Sequence, residues 1–260
     1  MKRMQDKVTI ITGAGTGVGR ACMELFARKG AKVVGVSRTQ SNLDESLALA
    51  RKAGGDGMVV AADISEDSGA EKVVAATLAK YGRIDCLVNS AGVGYSWMDK
   101  SPGTMNDVVN TTPEAWREVM RINLDSAFLM CRRVIPELRN SGGGTIVNVT
   151  SISGYQGLPV AHTYTAAKGG MINLTRSLCV SYAKDNIRSN CIAPGFIDTP
   201  MVAAVLHYFD DPKVAESLTP MCRPGTPMEM AYGCLYLACD ESTYCNGTVL
   251  TIDGGTTARQ

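Results

Sequence analysis

The sequence lacks any long run of charge of one sign. Its 26 basic side chains are set against 25 acidic ones in 260 residues, a formal net charge of +1. A stripe to track nucleic-acid phosphates or a patch for a membrane surface therefore has no electrostatic basis. Long hydrophobic runs are missing too. The basic start Met1-Lys2-Arg3 is followed by an apolar stretch only from Val8 to Ile11, broken at Thr12-Gly13. That is too short for a signal-peptide core or for a membrane span, which needs about 20 apolar residues. It reads as a buried strand. Cys-x-x-Cys pairs are absent among the nine cysteines, and the two histidines do not cluster near them, so the pattern offers no zinc site. Without a secretory signal, the thiols are expected to be reduced and mostly buried in a cytoplasmic protein.

What is present is alternation. Short apolar runs over residues 8–12, 32–37, 57–62, 86–89, 145–150, 188–193 and 248–252 read as strands. Most lack polar alternation, as strands covered on both faces do. Helical patterns fall between them, over 17–29, 41–53, 68–81, 113–133, 162–185 and 227–238. Repeated strand-then-helix order predicts a parallel sheet with right-handed crossovers. The expected fold class is α/β: one Rossmann-type, doubly wound parallel sheet of about seven strands with helices on both faces, a single domain over 1–260. No linker or internal repeat divides it. Two irregular segments, 94–112 and 196–226, follow strand carboxyl ends, where such sheets bind ligands. Connections of this length are usually functional or disordered, and these two are expected to form a substrate-side loop and a lid.

The first strand runs into Thr12-Gly13-Ala14-Gly15-Thr16-Gly17-Val18-Gly19. Glycines 13, 17 and 19 let the backbone turn sharply and approach a pyrophosphate, while the following helix aims its N-terminal N–H groups at the anion. The spacing Gly-x-x-x-Gly-x-Gly departs from the Gly-x-Gly-x-x-Gly dinucleotide pattern. At the end of the second strand an NAD site usually carries an acid for the ribose 2′-hydroxyl. Here the chain reads Val36-Ser37-Arg38-Thr39, with no acid until Asp44. Arg38 suits a 2′-phosphate, with Ser37 and Thr39 adding hydroxyls, so NADP(H) is preferred over NAD(H).

Tyr164 and Lys168 stand four residues apart on a predicted helix, hence on one face. A phenol with a reference pKa of about 10 holds its proton too firmly near neutrality. A neighbouring ammonium is expected to lower that value and make Tyr164 a general acid/base for C–OH/C=O interconversion. Ser151, at a predicted strand end, can hydrogen-bond the substrate oxygen.

The chain as a whole resembles the short-chain dehydrogenase/reductase family, in its single-domain branch. The matching residues are the 12–19 turn, Asp63-Ile64, Asn89-Ser90-Ala91-Gly92, Asn123, Ser151, Tyr164-Thr165-Ala166-Ala167-Lys168, Pro194-Gly195 and Thr199, in family order. The resemblance implies that Tyr164 is the catalytic acid/base and that Ser151 positions the reacting oxygen. It implies that Lys168 binds the nicotinamide ribose and lowers the tyrosine pKa, and that Asn123 supports a water relay ending at Lys168. Cofactor contacts implied are Gly13, Gly15, Thr16, Gly17, Val18 and Gly19 at the phosphates, Ser37, Arg38 and Thr39 at the ribose, and Asp63 and Ile64 near the adenine. Asn89, Ala91 and Gly92 are expected beside the cofactor, with Tyr164, Lys168, Pro194, Gly195, Ile197 and Thr199 toward the nicotinamide. One departure is Ser90, where the family usually has a second asparagine. A homo-oligomer, tetramer or dimer, is implied, packing through the 113–133 and 162–185 helices.

For substrate, the mouth segment offers Met201, Val202, Val205, Leu206, Tyr208, Phe209 and Met221, which form either a mobile apolar lid suited to a bulky hydrophobic alcohol or ketone or the packing of a lid helix or subunit contact. The chain also resembles the family's hydroxysteroid dehydrogenases and tropinone-type reductases, which points to a hydroxysteroid or bile-acid-like substrate. Tyr95, Trp97, Tyr155 and His162 are the candidates for substrate contact, although His162, two residues before Tyr164, is expected off its face in a helix-start or structural role. The alternatives are a 3-oxoacyl-thioester (acyl-carrier-protein) reductase and a small-ketone reductase. The carrier-gripping arginines of the former align with Leu129 and Val180, although Arg132, Arg133 and Arg176 are nearby. Of another class is a non-catalytic NADP-sensing regulator. A nucleotide-sugar epimerase would need a larger carboxyl-terminal substrate domain.

Overall fold

The structure, a computed structural model, describes residues 2–259. Seven strands form one parallel sheet: β1 Val8–Thr12, β2 Lys32–Ser37, β3 Asp56–Ala61, β4 Cys86–Asn89, β5 Gly144–Val149, β6 Ile187–Pro194 and β7 Val249–Ile252, in the order β3-β2-β1-β4-β5-β6-β7. The order reverses between β1 and β4, where the crossover changes side and a crevice opens at the strand carboxyl ends.

Both faces are covered. Ile10 and Ile11 are adjacent in β1 and both fully buried, yet they belong to opposite cores because successive strand residues point to opposite faces. One core packs helix α1 (Gly17–Arg28) and helix α2 (Gln40–Lys52) through Phe26 and Leu43. The other packs helix α3 (Asp67–Tyr81) through Val73 and Val74.

The expected helix over 113–133 is three elements. Helix α4 (Pro113–Met120) passes through a π-helical turn, Arg121–Asp125, into helix α5 (Ser126–Asn140). Helix α5 also runs on through Pro136, where the sequence reading stops short. Val134, Ile135 and Leu138 are buried against the sheet, and that packing outweighs the backbone bond that proline cannot make. Helix α6 (His162–Tyr182) ends in a single turn and a left-handed Asn186. In the 196–226 segment lie a 3₁₀ run, Ala203–Asp210, and helix α7 (Pro212–Leu218). Helix α8 (Pro227–Ala238) starts on a capping box in which the Thr226 and Glu229 side chains each satisfy the other's backbone N–H. It packs against α1. No helix among the described residues is long and apolar enough to cross a membrane.

Candidate active site

A cavity of about 520 Å³ lies along the strand carboxyl ends, from the β2 end to α6. The crevice is fixed first by Thr12. Its buried Oγ1 accepts from the backbone N–H groups of Ser90 and Ala91, at 3.0 and 3.1 Å, tying the β1 end to the β4 end. These bonds use the backbone of Ser90, so a serine serves there as well as an amide would.

The glycine turn then rises over β1. Gly13 has φ +66°, and a Cβ on it would come within 2.7 Å of the Ser90 carbonyl oxygen. A Cβ on Gly19 would sit 2.3 Å from the Gly13 carbonyl oxygen, so helix α1 could not approach the turn. Arg20 braces the turn from outside, donating to the Gly15 carbonyl at 2.5 Å and to Ser46 Oγ at 3.0 Å.

Ser37, Arg38 and Thr39 line the far end of the cavity, with Asp63 and Ile64 from beyond β3 beside them. Burial alone would raise the Asp63 pKa. Hydrogen bonds from Ser65 and the charges of Arg38 and Arg121 outweigh it and hold the carboxyl below its usual range. Arg38 has no ion-pair partner among the described residues, and its guanidinium lies 5.4 Å from the centroid of the Trp97 ring.

At the other end Ser151, Tyr164 and Lys168 line the same space. Ser151 leaves the β5 end in extended backbone. Its Oγ accepts from the Ser153 N–H at 3.1 Å and bonds the Ser153 hydroxyl at 3.1 Å. Tyr164 and Lys168 stand one turn apart on α6, 8% and 4% exposed. The start of α6 is locked to the 94–112 segment. The Ala161 N–H bonds the carbonyls of Met105 and Asn106, both at 3.1 Å, and Thr163 Oγ1 donates to the Thr104 carbonyl at 2.7 Å. Tyr95 packs on Tyr164, ring centroids 6.1 Å apart.

Lys168 Nζ donates to the Val149 carbonyl at 3.0 Å. Burial pulls its pKa down to about 8. The expected lowering of the Tyr164 pKa by Lys168 does not appear. Burial pushes the phenol up to about 12, opposed by the Ser151 hydroxyl and reinforced by Tyr95. The physical reason is that desolvation of the phenol dominates and that Lys168, losing its own proton near 8, is neutral in the range where the phenol titrates.

Asn123 sits in the π-helical turn, fully buried, and does not line the cavity. Its Oδ1 accepts from the Val93 N–H at 2.9 Å, and its buried Nδ2 bonds no protein acceptor. A Cβ on Gly92 would lie 2.5 Å from Asn123 Oδ1 and 3.5 Å from Lys168 Nζ, so the amide and the ammonium flank the same glycine. Single π turns inside helices recur at functional sites, but nothing in the 113–133 periodicity marks this one.

All the residues expected at the cofactor line the cavity except Asn89. Its Nδ2 donates to Asn148 Oδ1 at 2.9 Å and to Cys131 Sγ, joining β4 to β5 beneath the crevice. Of the four expected substrate contacts only Trp97 reaches the lining. Tyr155 bonds Thr251 at 2.8 Å on the surface, and His162 opens α6 away from the cavity. Residues the sequence reading leaves unassigned, Asn42, Ser96, Lys100 and Ser126, do line it, brought in by the return of distant segments. Over Tyr164 the two irregular segments meet. The Ser96 N–H bonds the Met201 carbonyl at 3.3 Å, and Gly94 abuts the Met201 side chain.

A turn in which Gly13 and Gly19 leave no room for a Cβ, an arginine at the β2 end and an elongated cavity running from them to α6 suit a nicotinamide dinucleotide. The model of a family described as enoyl-(acyl carrier protein) reductase matches residues 13–257. A 3-oxoacyl-[acyl-carrier-protein] reductase of Thermotoga maritima is 36% identical over 253 residues, 97% of this chain and 98% of that one. An NADP-dependent (R)-specific alcohol dehydrogenase of Lentilactobacillus kefiri is 35% identical over 268 residues, 99% of each chain. The solved structure of a levodione reductase matches with a TM-score of 0.90 at 35% identity, over 99% of this chain and 100% of that one. With the whole sheet, the glycine turn and the Ser151–Tyr164–Lys168 wall covered by these likenesses, the chain belongs to the short-chain dehydrogenase/reductase family of oxidoreductases.

Proposed function

We propose that the protein interconverts a secondary alcohol and a ketone with NADP(H), Tyr164 serving as general acid/base. The observation that carries this reading is one cavity lined at one end by Arg38 and the glycine turn and at the other by Ser151, Tyr164 and Lys168. NADP(H) bound there supplies or accepts the hydride. The chain's own residues handle the oxygen and the proton. In reduction, the substrate carbonyl oxygen sits between Ser151 Oγ and Tyr164 Oη, and Tyr164 gives it a proton as the carbonyl carbon gains hydride. With its pKa at about 12, Tyr164 is in the protonated form that this direction requires. Lys168 returns the proton to Tyr164, and its pKa of about 8 suits it to that exchange near neutral pH. Asn123 serves the relay toward Lys168. Oxidation of the alcohol runs the same steps backward.

Cofactor preference rests on Ser37-Arg38-Thr39, where no acid waits for a 2′-hydroxyl. Ser37→Asp combined with Arg38→Ala should shift the NADP-to-NAD ratio of kcat/KM toward NAD by about a hundredfold, the loss of a charge-assisted contact plus a new repulsion. An unchanged ratio would remove the assignment.

For substrate, the apolar wall supplied by Met201 and Val202 favours a bulky hydrophobic alcohol or ketone, with a hydroxysteroid or bile acid as the leading class. The neighbouring lid supports it. Phe209 packs edge-on against Phe196 at 5.9 Å, and the 3₁₀ run Ala203–Asp210 is longer than such runs usually are, which suits a movable cover. The Thermotoga maritima relative favours a second reading, an acyl-carrier-protein thioester. Against it, Arg132 and Arg133 are engaged with Asp67 and Glu71, which leaves the exposed Arg176 as the one of the three without an ion-pair partner among the described residues. We further propose a cytoplasmic homo-oligomer packed through α4, α5 and α6. Trp116, Phe128 and Val180 on these helices are 39%, 50% and 80% exposed, apolar area that contact between copies would bury.

A further inference from the structure

We propose that Lys100, on the loop after β4, completes the 2′-phosphate subsite and thereby ties the substrate-side loop to the identity of the cofactor. The inference rests on the NADP reading above and extends it to a residue on a different segment.

Two cations from distant parts of the chain converge on one ring. The Arg38 guanidinium lies 5.4 Å from the Trp97 centroid and the Lys100 ammonium 5.6 Å from it. Both side chains are exposed and both line the cavity. Neither has an ion-pair partner among the described residues. An aromatic face compensates a cation only weakly at an exposed site, and two like charges on one ring oppose each other. A dianion between them would resolve both deficits. Each side chain is long enough to swing a short way and still reach a shared phosphate.

The platform that presents Lys100 is rigid. Trp97 Nε1 donates to Glu118 Oε1 at 2.8 Å, and Ser101 Oγ donates to Glu118 Oε2 at 2.8 Å. Both neighbours of the lysine turn are thus held by one carboxylate of α4. The N–H groups of Lys100 and Ser101 both bond the Trp97 carbonyl, at 2.9 and 2.8 Å. Lys100 therefore leaves a turn whose backbone has little freedom. The same loop carries Ser96, bonded to Met201 of the lid, and Tyr95, packed on Tyr164. A phosphate held by Lys100 would be joined through a few residues to the cover of the reaction end.

The test uses two nucleotides that differ only in the phosphate, adenosine 2′,5′-bisphosphate and 5′-AMP, titrated into the full chain by calorimetry. The parent should bind the bisphosphate more tightly. Lys100→Met should weaken the bisphosphate about tenfold, the scale of one charge-assisted contact, and move 5′-AMP by less than about twofold. A second readout uses Trp97 itself. With Trp116→Phe it is the only tryptophan of the two in the sequence, and its emission should change with the bisphosphate and not with 5′-AMP, because the cations leave its face. Arg38→Met separates the two layers of the argument. If Arg38→Met loses the preference while Lys100→Met keeps it and Trp97 emission is unmoved, the cofactor reading stands and the role of Lys100 is overturned. If the parent binds both nucleotides equally, the NADP reading itself falls, and this inference with it.

Discussion

Tyr164→Phe should lower kcat for ketone reduction by about a thousandfold, within the range removed with a positioned general acid. NADPH should bind the variant within a few-fold of the parent. The substitution deletes one oxygen from a side chain that is 8% exposed and leaves its ring on Tyr95, so packing is kept. The proton for the substrate oxygen then has no source at the right place, because Lys168 Nζ is held at the Val149 carbonyl. Single-turnover mixing of enzyme, NADPH and ketone checks it, with NADPH fluorescence reporting binding separately. Survival of turnover would end the acid/base assignment. Loss of turnover with binding intact also sets the protein apart from a non-catalytic regulator that only senses NADP, since such a protein has no rate to lose.

Lys168→Met should make the protein more stable while disabling it. The folded chain holds Lys168 at about 8 against a reference of 10.5. Between those values the unfolded chain binds more protons, so stability rises with pH across that window. Below about pH 8 both states are charged and the folded state carries the full cost of a buried ammonium, about 3 kcal/mol. Methionine removes that cost and loses one hydrogen bond to Val149, worth about 1 kcal/mol. The net gain at pH 7 is about 2 kcal/mol, shrinking as the pH approaches 10. Tyr164 acts in the opposite sense higher up. Its folded pKa of about 12 lies above the reference of 10.0, so stability falls as pH rises from 10 toward 12. Urea midpoints of the parent, Lys168→Met and Tyr164→Phe from pH 7 upward measure all three effects. A stability difference between the parent and Lys168→Met that stays constant between pH 8 and 10 contradicts the burial argument. A site that holds a costly charge for its chemistry is an expected place for stability to be given up.

Much of the fold was legible because buried parallel strands are short apolar runs, and each one expected is in the sheet within a residue or two. The glycine turn was legible because Gly13 and Gly19 are demanded by local sterics. The rest depended on contacts between remote segments. Pro136 hid the end of α5, since only packing against the sheet overrides its helix-breaking tendency. The π turn at Asn123 has no periodic signature. Asn89 looked like a cofactor contact by resemblance, and its bond to Asn148 shows only once β4 and β5 are paired. Tyr155 and His162 are near the reacting residues in sequence but turn elsewhere. The tyrosine pKa departed from expectation because i,i+4 spacing places Lys168 on the right face and says nothing about how dry that face is.

The central claim is ketone-dependent hydride chemistry with a preference for NADPH. It is tested most directly by following NADPH absorbance with a panel of hydroxysteroid-type ketones, small ketones and 3-oxoacyl thioesters, with NADH as the comparison. The account predicts oxidation of NADPH matched mole for mole by the secondary alcohol, fastest with a bulky apolar ketone and with kcat/KM higher for NADPH than for NADH. NADPH binding without consumption on any member of the panel, in either direction, would contradict it.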